Sequence, residues 1–84
     1  MAVTKEDISN WFDIGIKQQA SHLIVVCDTF NYDDYPVFTN TDDECLARYK
    51  NPGKMQRVME VYDLTADKSE QMCEHRALRL PVIT

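Results

Sequence analysis

The chain has 84 residues, 44% of them apolar and 27% charged, with a formal charge of −5. That suits one α+β domain spanning residues 1–84 and excludes two domains or a disordered or fibrous chain. The longest apolar run, Leu23-Ile24-Val25-Val26-Cys27, is far below the roughly 20 residues of a membrane span, and no basic-then-apolar signal pattern opens the chain, so a cytoplasmic protein without a membrane role is expected.

Thr4 is placed to cap a first helix, with Glu6 and Asp7 in its first turn favourable to the helix dipole. Ile8, Trp11, Phe12, Gly15 and Ile16 recur at helical spacing and define one apolar face, in which Gly15 calls for close packing against a strand. His22 to Thr29 reads as a strand buried on both faces, hence central. Tyr35 to Thr39 reads as a second strand, which Pro36 assigns to an edge because it has no N–H to donate. Phe30-Asn31-Tyr32-Asp33-Asp34 is then the hairpin loop. Thr41-Asp42-Asp43-Glu44 is a capping-box pattern opening a short helix to about Tyr49, closed by Asn51-Pro52-Gly53.

Met55 to Asp63 reads as a third strand, with Val58 and Tyr62 on one face and Met59 and Val61 on the other. Thr65 or Asp67 can cap a third helix running to about His75 or Ala77. The alternating tail Leu78-Arg79-Leu80-Pro81-Val82 fits a short edge strand or an extended arm. A hairpin followed by a helical crossover predicts a three-stranded antiparallel sheet of order 2-1-3 with two or three helices, α-β-β-α-β-α.

Charge is uneven along this plan. Between Gln18 and Ala47 there is no Lys or Arg, while Asp28, Asp33, Asp34, Asp42, Asp43 and Glu44 all fall there; from Arg48 onward basic residues outnumber acidic ones by two. The basic footprint that phosphate-backbone binding requires is weak, so direct nucleic-acid binding is not expected and a protein partner with a basic surface is.

Cys27, Cys45 and Cys73 are an odd number without a CxxC spacing, against a disulfide framework or a zinc knuckle. Nor does a Cys–His nucleophile follow. His22 and Cys27 lie on opposite faces of one strand, Cys73 and His75 diverge on a helix, and nothing in the spacing demands a pairing of Cys27 with His75 across elements. Cys27 is expected to be a buried apolar residue. Asp28, Asn31, Asp33 and Asp34 lack the glycine and the distal glutamate of a calcium loop, and neither Gly15 nor Gly53 belongs to a phosphate cradle, so no metal or cofactor is expected.

Phe30, Tyr32, Tyr35 and Phe38 interleave with Asp28, Asp33 and Asp34 around the hairpin. Either the phenylalanines cap the core and the aspartates solvate a loop, or Asp28, Tyr32, Asp33, Asp34 and Tyr35 form a recognition surface. On the third strand the polar residues Gln56, Arg57 and Glu60 admit an ion pair between Arg57 and Asp28, or a small polar pocket of Asp28, Arg57 and Glu60.

The runs Ala20 to Phe30, Asp33-Asp34-Tyr35-Pro36-Val37 and Met55 to Tyr62 resemble a family of short uncharacterised proteins of bacteria and their phages. The resemblance covers most of the chain and implies a stand-alone small protein; it carries over no catalytic or binding role. The leading expectation is a non-enzymatic, phage-associated binding protein whose acidic, Tyr-bearing loop engages a host or defence complex, an inhibitor mimicking nucleic-acid charge being one version. The competing class is a small-molecule or nucleotide binder, or a small enzyme, with the Asp28–Arg57 pocket. A homodimer through the edge strand or tail is compatible with both.

Overall fold

The computed structural model describes residues 4–74 and 77–81. Its elements run α1 (Lys5–Lys17), β1 (His22–Asp28), β2 (Asp33–Thr39), α2 (Asp42–Lys50), β3 (Gln56–Asp63) and α3 (Lys68–Met72). The three strands form one antiparallel sheet in the order β2-β1-β3, the α+β architecture that the sequence pattern predicts. No helix among the described residues is long and apolar enough to cross a membrane.

Thr4 caps α1 reciprocally: its hydroxyl accepts from the Asp7 N–H, and the Asp7 carboxylate accepts from the Thr4 N–H. Ile8, Phe12 and Gly15 are buried and Trp11 is half-buried against them, whereas Ile16 is 50% exposed, contrary to its expected place on the packed face. At about 100° per residue, Ile16 falls well off the centre of the Ile8–Phe12–Gly15 stripe. Gly15 is the point of closest approach, since a Cβ there would lie 2.5 Å from Leu64 Cδ1 and 3.0 Å from Phe38 Cε1.

β1 is central and buried on both faces. Leu23 and Val25 join Ile8, Phe12, Tyr62 and Leu64 beneath α1, while Ile24 and Val26 join Cys45, Val58 and Val61 beneath α2. Each of these aliphatic side chains contributes about 1.5–3 kcal/mol through burial. Phe12 meets Tyr62 edge to face at 6.3 Å.

β3 departs from strict alternation. Val25 pairs with Glu60 but Val26 pairs with Val58, so Met59 is an extra residue in a β-bulge. The bulge inverts the parity: Val58 and Val61 share the α2 face, and Met59 and Tyr62 pack toward α1, which corrects the pairing of Val58 with Tyr62 and of Met59 with Val61 expected from a period of two.

Several boundaries also shift. Asp33 and Asp34 belong to β2, pairing with Asp28 and Cys27, so the loop is only residues 29–32. An edge strand accepts aspartates because one side remains open to water. Met55 precedes β3 and has a φ of 57°. Thr41 caps α2 by accepting from Glu44 N–H, but the Glu44 carboxylate reaches back to the N–H of Asn40, one residue before the cap.

Asp67 caps α3, which spans only five residues instead of reaching His75 or Ala77. The chain leaves the helix because Ala77 and Arg79 bond the main chain of Val61, placing Leu78 in a parallel bridge on the open edge of β3. His75 and Val82 lie outside the described residues.

Candidate functional site

At one end of the sheet, β1 turns into β2 and β3 begins. Asp28 builds the turn: its carboxylate accepts from the N–H groups of Phe30 (2.8 Å) and Asn31 (3.4 Å), and its carbonyl accepts from the Tyr32 N–H (2.6 Å). The Thr29 N–H donates to the Met55 carbonyl at 2.7 Å, tying this loop to the segment entering β3. Tyr32 and Met55 both have left-handed backbones, φ 59° and 57°, a conformation that non-glycine residues hold at a cost of about 1 kcal/mol or more.

The result is a pinned loop whose side chains point outward. Tyr32 is 73% exposed, Phe30 70% and Met55 55%, the three most exposed large apolar side chains among the described residues. Phe38, in contrast, packs against the α1-side core and Tyr35 against the α2-side core.

Register distributes the candidate polar residues over two faces. Asp33, Asp28 and Gln56 form one row across the sheet, on the face that α2 covers; Asp34, Cys27 and Arg57 form the next row, on the α1 face. Arg57 therefore stands opposite Cys27, not Asp28. Glu60 is opposite Val25, where its carboxylate accepts from the Tyr62 hydroxyl (3.0 Å) and the Ala77 N–H (3.4 Å), with Lys5 Nζ at 3.8 Å. Asp28, Arg57 and Glu60 are thus not brought together: one carboxylate shapes a turn, the other holds α1 and the tail to β3. Burial and the Glu60 carboxylate raise the Tyr62 phenol above its ordinary range, so it remains protonated.

Cys27 is half-buried instead of buried. Burial raises its pKa, a hydrogen bond to Asp34 and the Asp34 and Asp28 charges add to this, and Arg57 offsets part of it. A thiol held protonated is a poor nucleophile. Cys45 is fully buried, and burial, followed by the charges of Asp42 and Asp63, pushes it up to about 11. His22 is buried at the far end of β1, its Nδ1 3.0 Å from Ser21 Oγ. Among the described residues no three His, Cys, Asp or Glu side chains converge to hold a metal ion.

The acidic stretch is divided by β2. Asp33 and Asp34 open the strand, and Asp42, Asp43 and Glu44 begin α2 beyond its other end, about 20 Å away at 3.3 Å per residue. Lys54 and Arg57, distant in sequence, come to the hairpin end and offset its aspartates.

Sequence reasoning missed two features. Met55 joins Phe30 and Tyr32 through the backbone contact across β1 and β3, for which no local pattern exists. A shallow groove of about 420 Å³ lies between β2 and α2, lined by Val37, Thr39, Ala47, Arg48 and Asn51 among others. Arg48 donates from Nη2 to Gln56 Oε1 (3.3 Å), while its Nε is buried without a partner among the described residues. The Glu44–Arg48 spacing was the one signal for a polar groove wall.

Comparison with protein-family models, with curated proteins and with solved structures finds no match to the chain.

Proposed function

We propose that the protein is a non-enzymatic binding module that engages a protein partner through its hairpin end, with Phe30 and Tyr32 as apolar anchors and Asp33 as the rim contact to a basic side chain. The observation that carries this reading is the gathering of the three most exposed large apolar side chains on one pinned loop and its neighbour. Aromatic side chains presented by a rigid turn contribute large contact area at low entropic cost, the usual composition of an interaction hot spot. Asp28 acts here as the residue that holds the anchors in place, and Asp34 and Tyr35 as support beneath them.

The division of the acidic stretch supports a compact hairpin contact over an extended row of charges imitating nucleic acid. The resemblance to short bacterial and phage proteins makes a bacterial lysate the first source of partner. Capture by the wild type should retain a specific protein that a folded Phe30→Ala/Tyr32→Ala/Asp33→Ala variant loses. Retention should fall only moderately between low salt and 0.15 M, since screening acts on the charged rim and not on the apolar anchors. Equal capture by wild type and variant would overturn the reading.

A further inference from the structure

We infer that the same hairpin end is self-complementary and pairs two copies of this chain about a two-fold axis. The inference goes beyond a heterologous partner and rests on a separate observation, the arrangement of charge around the apolar anchors.

Across the end of the sheet, β2 enters with exposed Asp33, β1 ends beneath Phe30 and Tyr32, and β3 enters from exposed Lys54 and Met55 into exposed Arg57. Asp33 projects on the α2 face and Arg57, one row further in, on the α1 face. The acidic β2 side, which also carries Asp34, and the basic β3 side therefore lie diagonally across the end of the sheet, two strand spacings or roughly 10 Å apart along it. An apolar centre flanked by opposite charges has a specific symmetry property. Rotation by 180° about an axis through its centre lays the acidic side of one copy on the basic side of the other, and the apolar centre on itself. A patch with acid on both sides would repel its own copy.

Phe30 and Tyr32 together offer about 250–300 Å² of accessible surface per copy, given about 200 Å² for each whole side chain. With the rim this reaches only the low end of specific interfaces, so the dimer is reversible and weak, with a dissociation constant about micromolar or above. The pinned loop reduces the ordering cost of forming it.

Sedimentation velocity of the pure full-length chain over a concentration series tests this directly. The wild type should pass from monomer to dimer, whereas Asp33→Lys and Arg57→Glu alone should each weaken dimerisation by about tenfold or more, because like charges then face each other. An equimolar mixture of the two variants should recover the dimer, since each supplies the charge that the other now requires. Both positions are exposed, and circular dichroism with thermal melting verifies the fold of each variant. A wild type that stays monomeric to millimolar concentration overturns the proposal, as does a mixture no more dimeric than its components. Lysate capture by the monomeric Arg57→Glu variant, which keeps Phe30, Tyr32 and Asp33, separates the two readings. Capture retained without a dimer leaves the partner reading standing, and a wild-type dimer that captures no partner leaves the self-pairing standing.

Discussion

The two ends of the sheet handle polarity in opposite ways. At the His22–Thr39–Asp63 end, the buried polar residues His22, Thr39 and Gln71 turn inward, His22 and Thr39 to the Ser21 hydroxyl and Gln71 to the main chain. Ser21 Oγ contacts His22 Nδ1 (3.0 Å) and bonds the Thr39 carbonyl (3.2 Å), while Gln71 bridges the N–H and C=O of Asp63. At the Asp28–Asp33–Gln56 end, Asp28 bonds the main chain to shape the turn, Gln56 accepts from Arg48, and Phe30 and Tyr32 are mostly exposed. One end is organised for stability and the other is the end we propose for contact, so substitutions at the two ends should separate stability from binding.

Gln71→Ala should have the largest effect on folding. It removes the acceptor for the Asp63 N–H (2.7 Å) and the donor to the Asp63 and Asp67 carbonyls (2.8 and 3.0 Å) in a fully buried site. A loss of about 3 kcal/mol is expected from urea denaturation, with unchanged partner capture by the folded fraction. An effect below about 1 kcal/mol would mean that this end is not the stabilising one.

Cys45 provides a pH-dependent test near the same end. Its folded pKa of about 11 lies above the ordinary 9.0, so its stabilising contribution is complete below pH 9 and is lost as pH rises toward 11. The expected loss at pH 11 is about 2 kcal/mol, and Cys45→Ala, less stable at neutral pH, should show a flatter profile over that interval. Parallel profiles for the two proteins would assign the loss to other groups. Gly15→Val, where α1 touches Phe38 and Leu64, should cost about 2 kcal/mol through overpacking, read as a lower denaturation midpoint.

The hairpin end should show the reverse pattern. Asp28→Ala should cost only about 1 kcal/mol of stability, yet reduce partner capture several-fold because Phe30 and Tyr32 lose their fixed presentation. Phe30→Ala/Tyr32→Ala should change stability by less than about 0.5 kcal/mol while abolishing capture. A double variant that melts early would show that these rings are structural after all.

Much of the fold was legible because its signals are local. The Thr4 and Thr41 caps, the uninterrupted apolar run of β1 and the position of Pro36 each depend on neighbours within a few residues. What was missed depends on distant partners. The bulge at Met59 reflects how β3 meets β1, and the early end of α3 reflects the pull of Val61 on Ala77 and Arg79. Of the candidate site, Tyr32 and Asp33 were legible as polar or aromatic loop residues. The role of Asp28 in shaping the turn, and the packing of Tyr35 into the core, required the register.

By itself the sequence determined the order of elements, the sheet order and the central strand, since periodicity, caps and turn residues are encoded within short windows. Only the tertiary structure decided which charges share a surface. Strand pairing carried Asp42, Asp43 and Glu44 away from Asp33 and brought Lys54, Met55 and Arg57 to the same end of the sheet as Asp33. Electrostatics and contact area act through space, so a run of acidic residues along the chain became two separate poles, one of them mixed in charge and crowned by exposed aromatic rings.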